Sequence, residues 1–473
     1  MTPLVLPSRP QSACLVAVRF AVLCLMGLLG FGVAGAANRE TRPPNIVIIL
    51  TDDQGCGDWS GSGSTDIRTP HIDRLHREGM TFSNFYANSC VCSPTRAALL
   101  TGCYPDRVGV PGVIRDETPT NSWGSLAEHA TLLPQRLKAA GYHTAIVGKW
   151  HLGTTAPNTP NDRGFDFFHG FLGDMMDDYW THRRNGRTYM RRDREEIEPQ
   201  GHATDLFTDW ACDYLAERAQ AGGPFFLYLA YNAPHGPIQP PREWLDAVQQ
   251  RQPGLDPTRA KFVALTEHLD AGIGKVLAAI DKLGLAQETL VFFTSDNGGS
   301  VAEGGTNGPW RGGKQQMYEG GLRVPAAVRW PGRVAPGTTT THVALSMDIF
   351  ATACDAAGVS ASDLDGDAIA IDAVSFLPAL LGKPQPTARA DAYFVRREGG
   401  PAYLGKTIEA VMRGDWKLVL NSPFQPAELY NLARDPGERD NVINREKKVA
   451  AELGALLRGH VQRGGVVPWQ SGR

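Results

Sequence analysis

The chain has 473 residues, a net charge of −3, 42% apolar residues and 21% charged residues. That length exceeds one compact core and the composition is ordinary for a folded protein, which excludes a disordered chain and gives no reason to expect general nucleic-acid affinity. With 52 glycines and 33 prolines, much of the chain must run in loops on a scaffold; no internal repeat or low-complexity tract is visible.

In chain order, Arg9 and Arg19 precede "FAVLCLMGLLGFGVAGAA" at residues 20–37. Ala34-Gly35-Ala36 fits a signal-peptidase site, so residues 1–36 read as a secretory signal peptide. The competing reading is a retained anchor, since the stretch nearly reaches spanning length; its glycines and small-residue end favour cleavage. No later segment is long and apolar enough to span a bilayer, so no stable membrane span is expected after signal removal. Cys14 and Cys24 would leave with the signal. Cys56, Cys90, Cys92, Cys103, Cys212 and Cys354 would remain, enough for three disulfides unless Cys92 is chemically special. The mature chain has no Asn-x-Ser/Thr site, which favours a bacterial periplasm or exterior over an animal secretory route.

The next segments alternate strand and helix. "NIVIIL" (residues 45–50) is a short β-branched run of the kind found in buried parallel strands, and it ends in Thr51-Asp52-Asp53. "YHTAIV" leads into Gly148-Lys149-Trp150-His151, "FFLYLAY" into Asn232-Ala233-Pro234-His235, and "TLVFFTS" into Asp296-Asn297-Gly298-Gly299. Helices are expected in "TLLPQRLKAAG" and from residue 261 to 283. Four apolar strands thus each deliver charged or imidazole groups at their C-terminal ends, the edge where open α/β sheets bind ligands. Any one of these residues alone could be a loop cap or a solvated side chain; together they indicate a site. Past residue 385, "DAYFVRR", "IEAVMRGDWKLVLN" and "AELYNL" read as antiparallel strands, followed by a helix at about 444–462. The expected architecture is α/β: a large mixed, mostly parallel sheet flanked by helices over residues 43–385, with a smaller C-terminal α+β domain over 386–473 containing an antiparallel sheet.

Cys92 lies in "NSCVCSPTRAALLTGCYP" and could be a disulfide half, a metal thiolate or a reactive group. Ser93 suits an N-cap, Pro94 the first turn and Gly102 the stop. Cys92 is therefore placed just ahead of a helix N-terminus, where backbone N–H groups, the dipole and Arg96 favour a tetrahedral anion.

Cys92-Ser93-Pro94-Thr95-Arg96 through Thr101-Gly102 resembles the defining motif of the sulfatase family, within the alkaline-phosphatase-like superfamily. "ILTDDQG", "GKWHLG", "NAPHGP", "TSDNGG" and "RGGKQQMYEGGLRVP" match further family blocks in the family's order over residues 45–325, in a style close to the arylsulfatase A and N-acetylgalactosamine-6-sulfatase branch. Cys103 departs from the pattern, since many relatives carry Arg after Thr-Gly. The resemblance implies that a maturation enzyme oxidises Cys92 to formylglycine, whose hydrate attacks a sulfate monoester at sulfur. The alcohol leaves; the second diol hydroxyl then loses its proton, the C–O bond to sulfate breaks, and the aldehyde returns.

It also implies a divalent cation. Asp52, Asp53, Asp296 and Asn297, with position 92, form an all-oxygen set suited to Ca²⁺, Mg²⁺ being the lesser alternative. Two adjacent carboxylates ending a buried strand would repel each other without a cation. Asp296 is further placed to take a proton from the attacking hydroxyl. Arg96 and Lys149 are implied to bind diol and sulfate charge, and His151 to act as base for the second hydroxyl. Lys149 and His151 share a face if the strand continues through them. His235 and Lys314 are implied to hold the bridging oxygen and to supply a proton or positive charge to the leaving alcohol.

For the substrate, the segment "FDFFHGFLGDMMDDYW" (residues 165–180) reads as an aromatic and acidic loop, and Trp310 lies close in sequence to Lys314. Both suit sugar rings, so a sulfated carbohydrate is the preferred class over another sulfated small molecule; plain loop packing is the competing reading. Two rival functions are a phosphodiesterase or phosphonate monoester hydrolase on the same scaffold, and a non-catalytic sulfated-glycan binding protein.

Overall fold

The computed structural model describes residues 1, 3, 42–115, 122–359, 369–399, 406–422 and 424–467. The expected signal segment lies outside these residues. Pro44–Arg473 forms one compact unit. Among the described residues no helix is long and apolar enough to cross a membrane.

The chain builds a ten-stranded sheet from β1 (Asn45–Thr51), β2 (Met80–Tyr86), β3 (His143–Lys149), β4 (Phe167–Phe171), β7 (Met190–Arg192), β8 (Glu195–Glu196), β9 (Phe225–Ala230), β10 (Thr289–Ser295), β11 (Ala326–Arg329) and β12 (Thr338–Leu345), with β5 (Arg183–Arg184) and β6 (Arg187–Thr188) as a separate hairpin. The order is β12-β2-β11-β10-β1-β9-β3-β4-β7-β8. Pairing is parallel through β10-β1-β9-β3-β4 and between β12 and β2, and antiparallel at β11 and toward β8. Every residue of β1, β9 and β10 is buried, as required of central strands covered by helices on both faces. The helix Pro257–Lys282 is one of the covers. It starts four residues earlier than the apolar pattern suggests, because Asp256 caps it, its carboxylate accepting from the Thr258 and Arg259 N–H groups at 3.0 Å each.

A second, antiparallel sheet runs β13 (Ala392–Glu398), β14 (Lys406–Arg413), β15 (Trp416–Leu420) and β16 (Glu428–Asn431) in that order, followed by the helix Lys447–Gly464. Its apolar face shares one core with the larger sheet: Phe394, Val411, Val419 and Leu457 cluster with Tyr86, Leu322 and Leu345. The mixed, mostly parallel sheet and the smaller antiparallel one match the expected fold class.

Two sequence expectations change. The stretch 165–180 is not wholly loop, since β4 lies inside it and Phe165, Phe168, Phe171 and Tyr179 are core residues. No disulfide joins the six cysteines from Cys56 to Cys354, so the expected framework is absent among the described residues.

Candidate active site

The four central strands β10, β1, β9 and β3 all end at one edge, and their register sets Thr51 beside Ser295 and Ala230 beside both Leu50 and Gly148. Pairing carries on past the strand ends: Asp52 N donates to Ala233 O and Asp296 N to Thr51 O, each at 3.1 Å. The backbones that carry the acids are therefore fixed by the sheet itself. Gly298 lets the turn after Asn297 close. A Cβ there would lie 1.8 Å from the Gly320 carbonyl oxygen.

Cys92 is the first residue of the buried helix Cys92–Thr101, not the residue ahead of it, and Val91 is the N-cap. Ser93 does not cap; its Oγ accepts from Ile114 N at 3.1 Å. From this helix Arg96 reaches down, fully buried, to Asp296 Oδ2 (Nε 3.0 Å, Nη2 2.8 Å), Asp52 Oδ2 (3.1 Å) and the Lys149 carbonyl (3.2 Å). Lys149 Nζ donates to Asp52 Oδ2 at 2.5 Å, and Lys314 Nζ to Asp53 Oδ2 at 2.6 Å. Cys92 Sγ lies 3.4 Å from Asp52 Oδ1, and His235 Nε2 lies 3.7 Å from Asp53 Oδ2. All ten residues read from the sequence as a site are thus brought together. The repulsion expected between Asp52 and Asp53 is met by Arg96, Lys149 and Lys314.

Burial alone would raise the Asp52 carboxyl, but Lys149, Arg96 and Lys314 outweigh it and hold Asp52 well below the usual carboxylate range. Asp296 goes the other way: burial and the Asp52 charge push it up to about 7 despite Arg96. Burial, Asp296 and Asp52 also raise the Cys92 thiol well above its ordinary value, the opposite of what a thiolate nucleophile requires.

Lys149 and His151 are not i, i+2 strand neighbours in the expected sense. Strand β3 stops at Lys149, and His151 has a left-handed backbone, φ 58°. Its Nε2 faces the Ile114 carbonyl at 2.9 Å. A carbonyl only accepts, so Nε2 carries the proton and Nδ1, buried and without a partner, is the bare acceptor. Burial, Lys149 and Arg96 hold His151 neutral, well below its ordinary value. His235 has its Nδ1 proton on the Gly236 carbonyl at 2.6 Å, and burial with Lys314 lowers it as well.

The residues present fit a hard divalent cation. Ligand atoms of Asp52, Asp53, Cys92 and His235 lie within 4.8 Å of one another, and Asn297 Nδ2 donates to Asp53 Oδ1 at 2.7 Å. Asn297 Oδ1 is buried with no donor, a cost of about 1–3 kcal/mol that a cation would remove.

Above Cys92 opens a cavity of about 290 Å³ that also exposes His151, His235 and Lys314. Its further lining includes Arg115, Asp174, Arg184, Glu303, Gln315 and Arg396, most of which the motif blocks did not reveal. Gln315 could have been found as the neighbour of Lys314; Arg396 read only as part of a strand. Trp310, expected to face a sugar, instead stacks on Arg323 at 4.3 Å and lines a different cavity with Cys56.

Comparison with known proteins follows the same lines. The sulfatase family model matches residues 44–359, and a model described as N-sulphoglucosamine sulphohydrolase, C-terminal, matches residues 310–462. Human N-acetylgalactosamine-6-sulfatase is 35% identical, covering 87% of this chain and 83% of its own. Arylsulfatase A of Bos taurus is 32% identical, covering 90% and 87%. Among solved structures, Ps i-CgsB in complex with k-i-k-neocarrahexaose superposes with a TM-score of 0.81 at 28% identity, covering 91% of this chain and 94% of that one.

Proposed function

The chain belongs to the sulfatase family and is a sulfuric ester hydrolase, and from that premise we propose that it cleaves sulfate monoesters of carbohydrates with formylglycine, formed from Cys92, as nucleophile. The observation that carries this reading is the state of Cys92. It sits among Asp52, Arg96, Lys149 and Lys314, where a sulfate would be held, yet its thiol is kept protonated by burial and by Asp296 and Asp52. Hydration of an aldehyde at this position supplies two hydroxyls, one to attack sulfur and one to expel sulfate through a covalent sulfo-enzyme.

Asp52, Asp53, Asp296 and Asn297 would hold the cation, Ca²⁺ in preference to Mg²⁺ for an all-oxygen set. When bound, it supplies positive charge that acidifies the attacking hydroxyl and draws in the sulfate. Asp296, raised to about 7, is suited to take the attacking hydroxyl's proton near neutral pH. Arg96 and Lys149, buried on one side of Cys92, present fixed donors to the growing negative charge. His151 receives the second hydroxyl's proton at Nδ1, its bare nitrogen. Lys314 stays an ammonium, because the Asp53 and Asp52 charges outweigh its burial, and so stabilises the leaving oxygen. His235, its Nδ1 proton committed to the Gly236 carbonyl, offers a bare Nε2 that accepts the hydroxyl of the departing alcohol once Lys314 has given that oxygen a proton.

Support for a carbohydrate comes from the relatives' names, N-acetylgalactosamine-6-sulfatase above all, and from the k-i-k-neocarrahexaose in complex with the structural neighbour. Export through residues 1–36, maturation by a formylglycine-generating enzyme and a domain division near residue 385 complete the reading. The test is sulfate release from monosulfated sugars by wild type and Cys92→Ala: turnover should vanish in the variant while its melting midpoint stays put. Release that favours phosphate esters would support the phosphodiesterase alternative.

A further inference from the structure

We propose that Arg396, with Gln315 and Arg115, forms a subsite for a second acidic group on the sugar, a carboxylate or an additional sulfate beside the one being cleaved. This rests on the reading of the site as a sulfated-carbohydrate hydrolase.

The cavity is lined by residues of the loops beyond the large sheet's strand ends, among them His151 and His235, and by Arg396 of the second sheet. The cations at the reacting centre, Arg96, Lys149 and Lys314, are anchored to Asp52, Asp53 and Asp296. Arg396 is anchored elsewhere. It projects from β13, where Arg396 and Glu398 share a face as i, i+2 neighbours, and its Nε donates to Glu398 Oε1 at 2.6 Å. Its Nη1 donates to Gln315 Oε1 at 3.3 Å. Arg115 Nη1 lies 2.8 Å from the other Glu398 oxygen. One carboxylate thus orients Arg396 by a hydrogen bond and holds Arg115 by charge at the wall of the cavity, and Gln315 ties that wall to the residue next to Lys314.

Lys406 adds to the positive character. It pairs with Glu398 across the β13–β14 ladder, and burial and the Arg396 charge lower its ammonium. A cluster meant only to pin the second sheet would be better served by apolar packing, because a buried ion pair roughly balances its own desolvation cost. Arg396 is 1% exposed but lines the cavity, so its cost is recovered when an anion enters. The planar guanidinium fork suits the paired oxygens of a carboxylate or sulfate. The second sheet would then select the substrate while the first performs the chemistry.

Calorimetric titration of the mature full-length protein with N-acetylgalactosamine 6-sulfate, its 4,6-disulfate and an unsaturated uronate–N-acetylgalactosamine 6-sulfate disaccharide separates the cases. The extra sulfate or the uronate carboxylate should tighten binding at least about tenfold, and which one does so identifies the group recognised. Arg396→Gln and, on a less buried side chain, Arg115→Gln should cut that gain to about threefold or less, with Arg396→Lys retaining part of it. Equal affinity for all three sugars, no binding to any, or a gain undiminished in both Gln variants would overturn the proposal. Sulfate release is scored separately, so sugars that bind with the expected selectivity but are not cleaved would count against the hydrolase reading and not against the subsite.

Discussion

Replacing Lys417 by methionine tests how the second sheet holds the catalytic loop. Lys417, on β15 and fully buried, donates to Glu319 Oε1 and approaches Glu438 Oε1, each at 2.9 Å. Glu438 Oε2 in turn accepts from Glu319 N at 2.6 Å. Glu319 closes the segment that began at Lys314, and Arg311 grips the same segment from outside: it lies 3.8 Å over the Tyr318 ring and donates to Tyr430 and to the Glu438 carbonyl. Removing one partner of a buried charge network costs about 3–5 kcal/mol. Glu319 keeps Arg323 at 2.8 Å, so the loss falls mainly on Glu438 and the lower figure applies. For a unit of this size, where about 1 kcal/mol corresponds to roughly a degree, the melting midpoint should fall by about 3 °C. Burial already raises the Glu438 carboxyl, Glu319 adds to the shift and Lys417 opposes it. In the variant its folded pKa therefore rises further above the unfolded value. That penalty is absent below the unfolded pKa and grows as pH climbs through the folded one, so the deficit should be larger near about pH 8 than near about pH 5. Adding Glu438→Gln should restore part of the loss, and kcat/KM should fall in the single variant because Lys314 is no longer held. A midpoint within a degree of wild type at both pH values, or a double variant that is worse by simple addition, would refute the reasoning.

Other consequences can be checked in the same preparations. Asp52→Asn should weaken Ca²⁺ binding by about two orders of magnitude or more, measured by calorimetry, together with activity; unchanged affinity would remove Asp52 from the ligand set. The proposed roles need an ionised Asp296, raised to about 7, and a neutral His151, lowered by burial with Lys149 and Arg96, so kcat/KM should fall below about pH 7 with the slope of one group and show a second, steeper limb from His151 only below about 6.5. In His151→Gln that limb should disappear and the rate drop by about 10²–10⁴. Gly298→Ala places a methyl against the Gly320 carbonyl and should cost about 3 kcal/mol or more in thermal unfolding; a wild-type midpoint would mean the turn relaxes freely.

The candidate site was legible because its residues are consecutive with strands whose burial is written in their composition. "NIVIIL" and "TLVFFTS" read as buried parallel strands, and Asp52, Asp53, Asp296 and Asn297 follow from where those strands stop. Local backbone was harder. Ser93 has the chemistry of an N-cap, yet its hydroxyl goes to Ile114 N and the helix begins at Cys92, a long-range bond no local pattern encodes. His151 has the spacing of a strand residue but a left-handed backbone. The specificity wall was invisible, because Arg396, Arg115 and Gln315 come from distant segments that meet only when the two sheets share a core. The aromatic segment at 165–180 misled for a related reason: Phe165, Phe168, Phe171 and Tyr179 are core, Trp180 is exposed away from the cavity, and what the segment gives the cavity is Asp174 and Met175.

The account stands or falls on the chemistry of one side chain. Mass spectrometry of the peptide spanning residue 92, taken from freshly purified active protein, should show oxygen in place of sulfur and the loss of two hydrogens, together with reactivity toward a hydrazide. Full turnover from protein whose residue 92 is an intact, alkylatable thiol would contradict it.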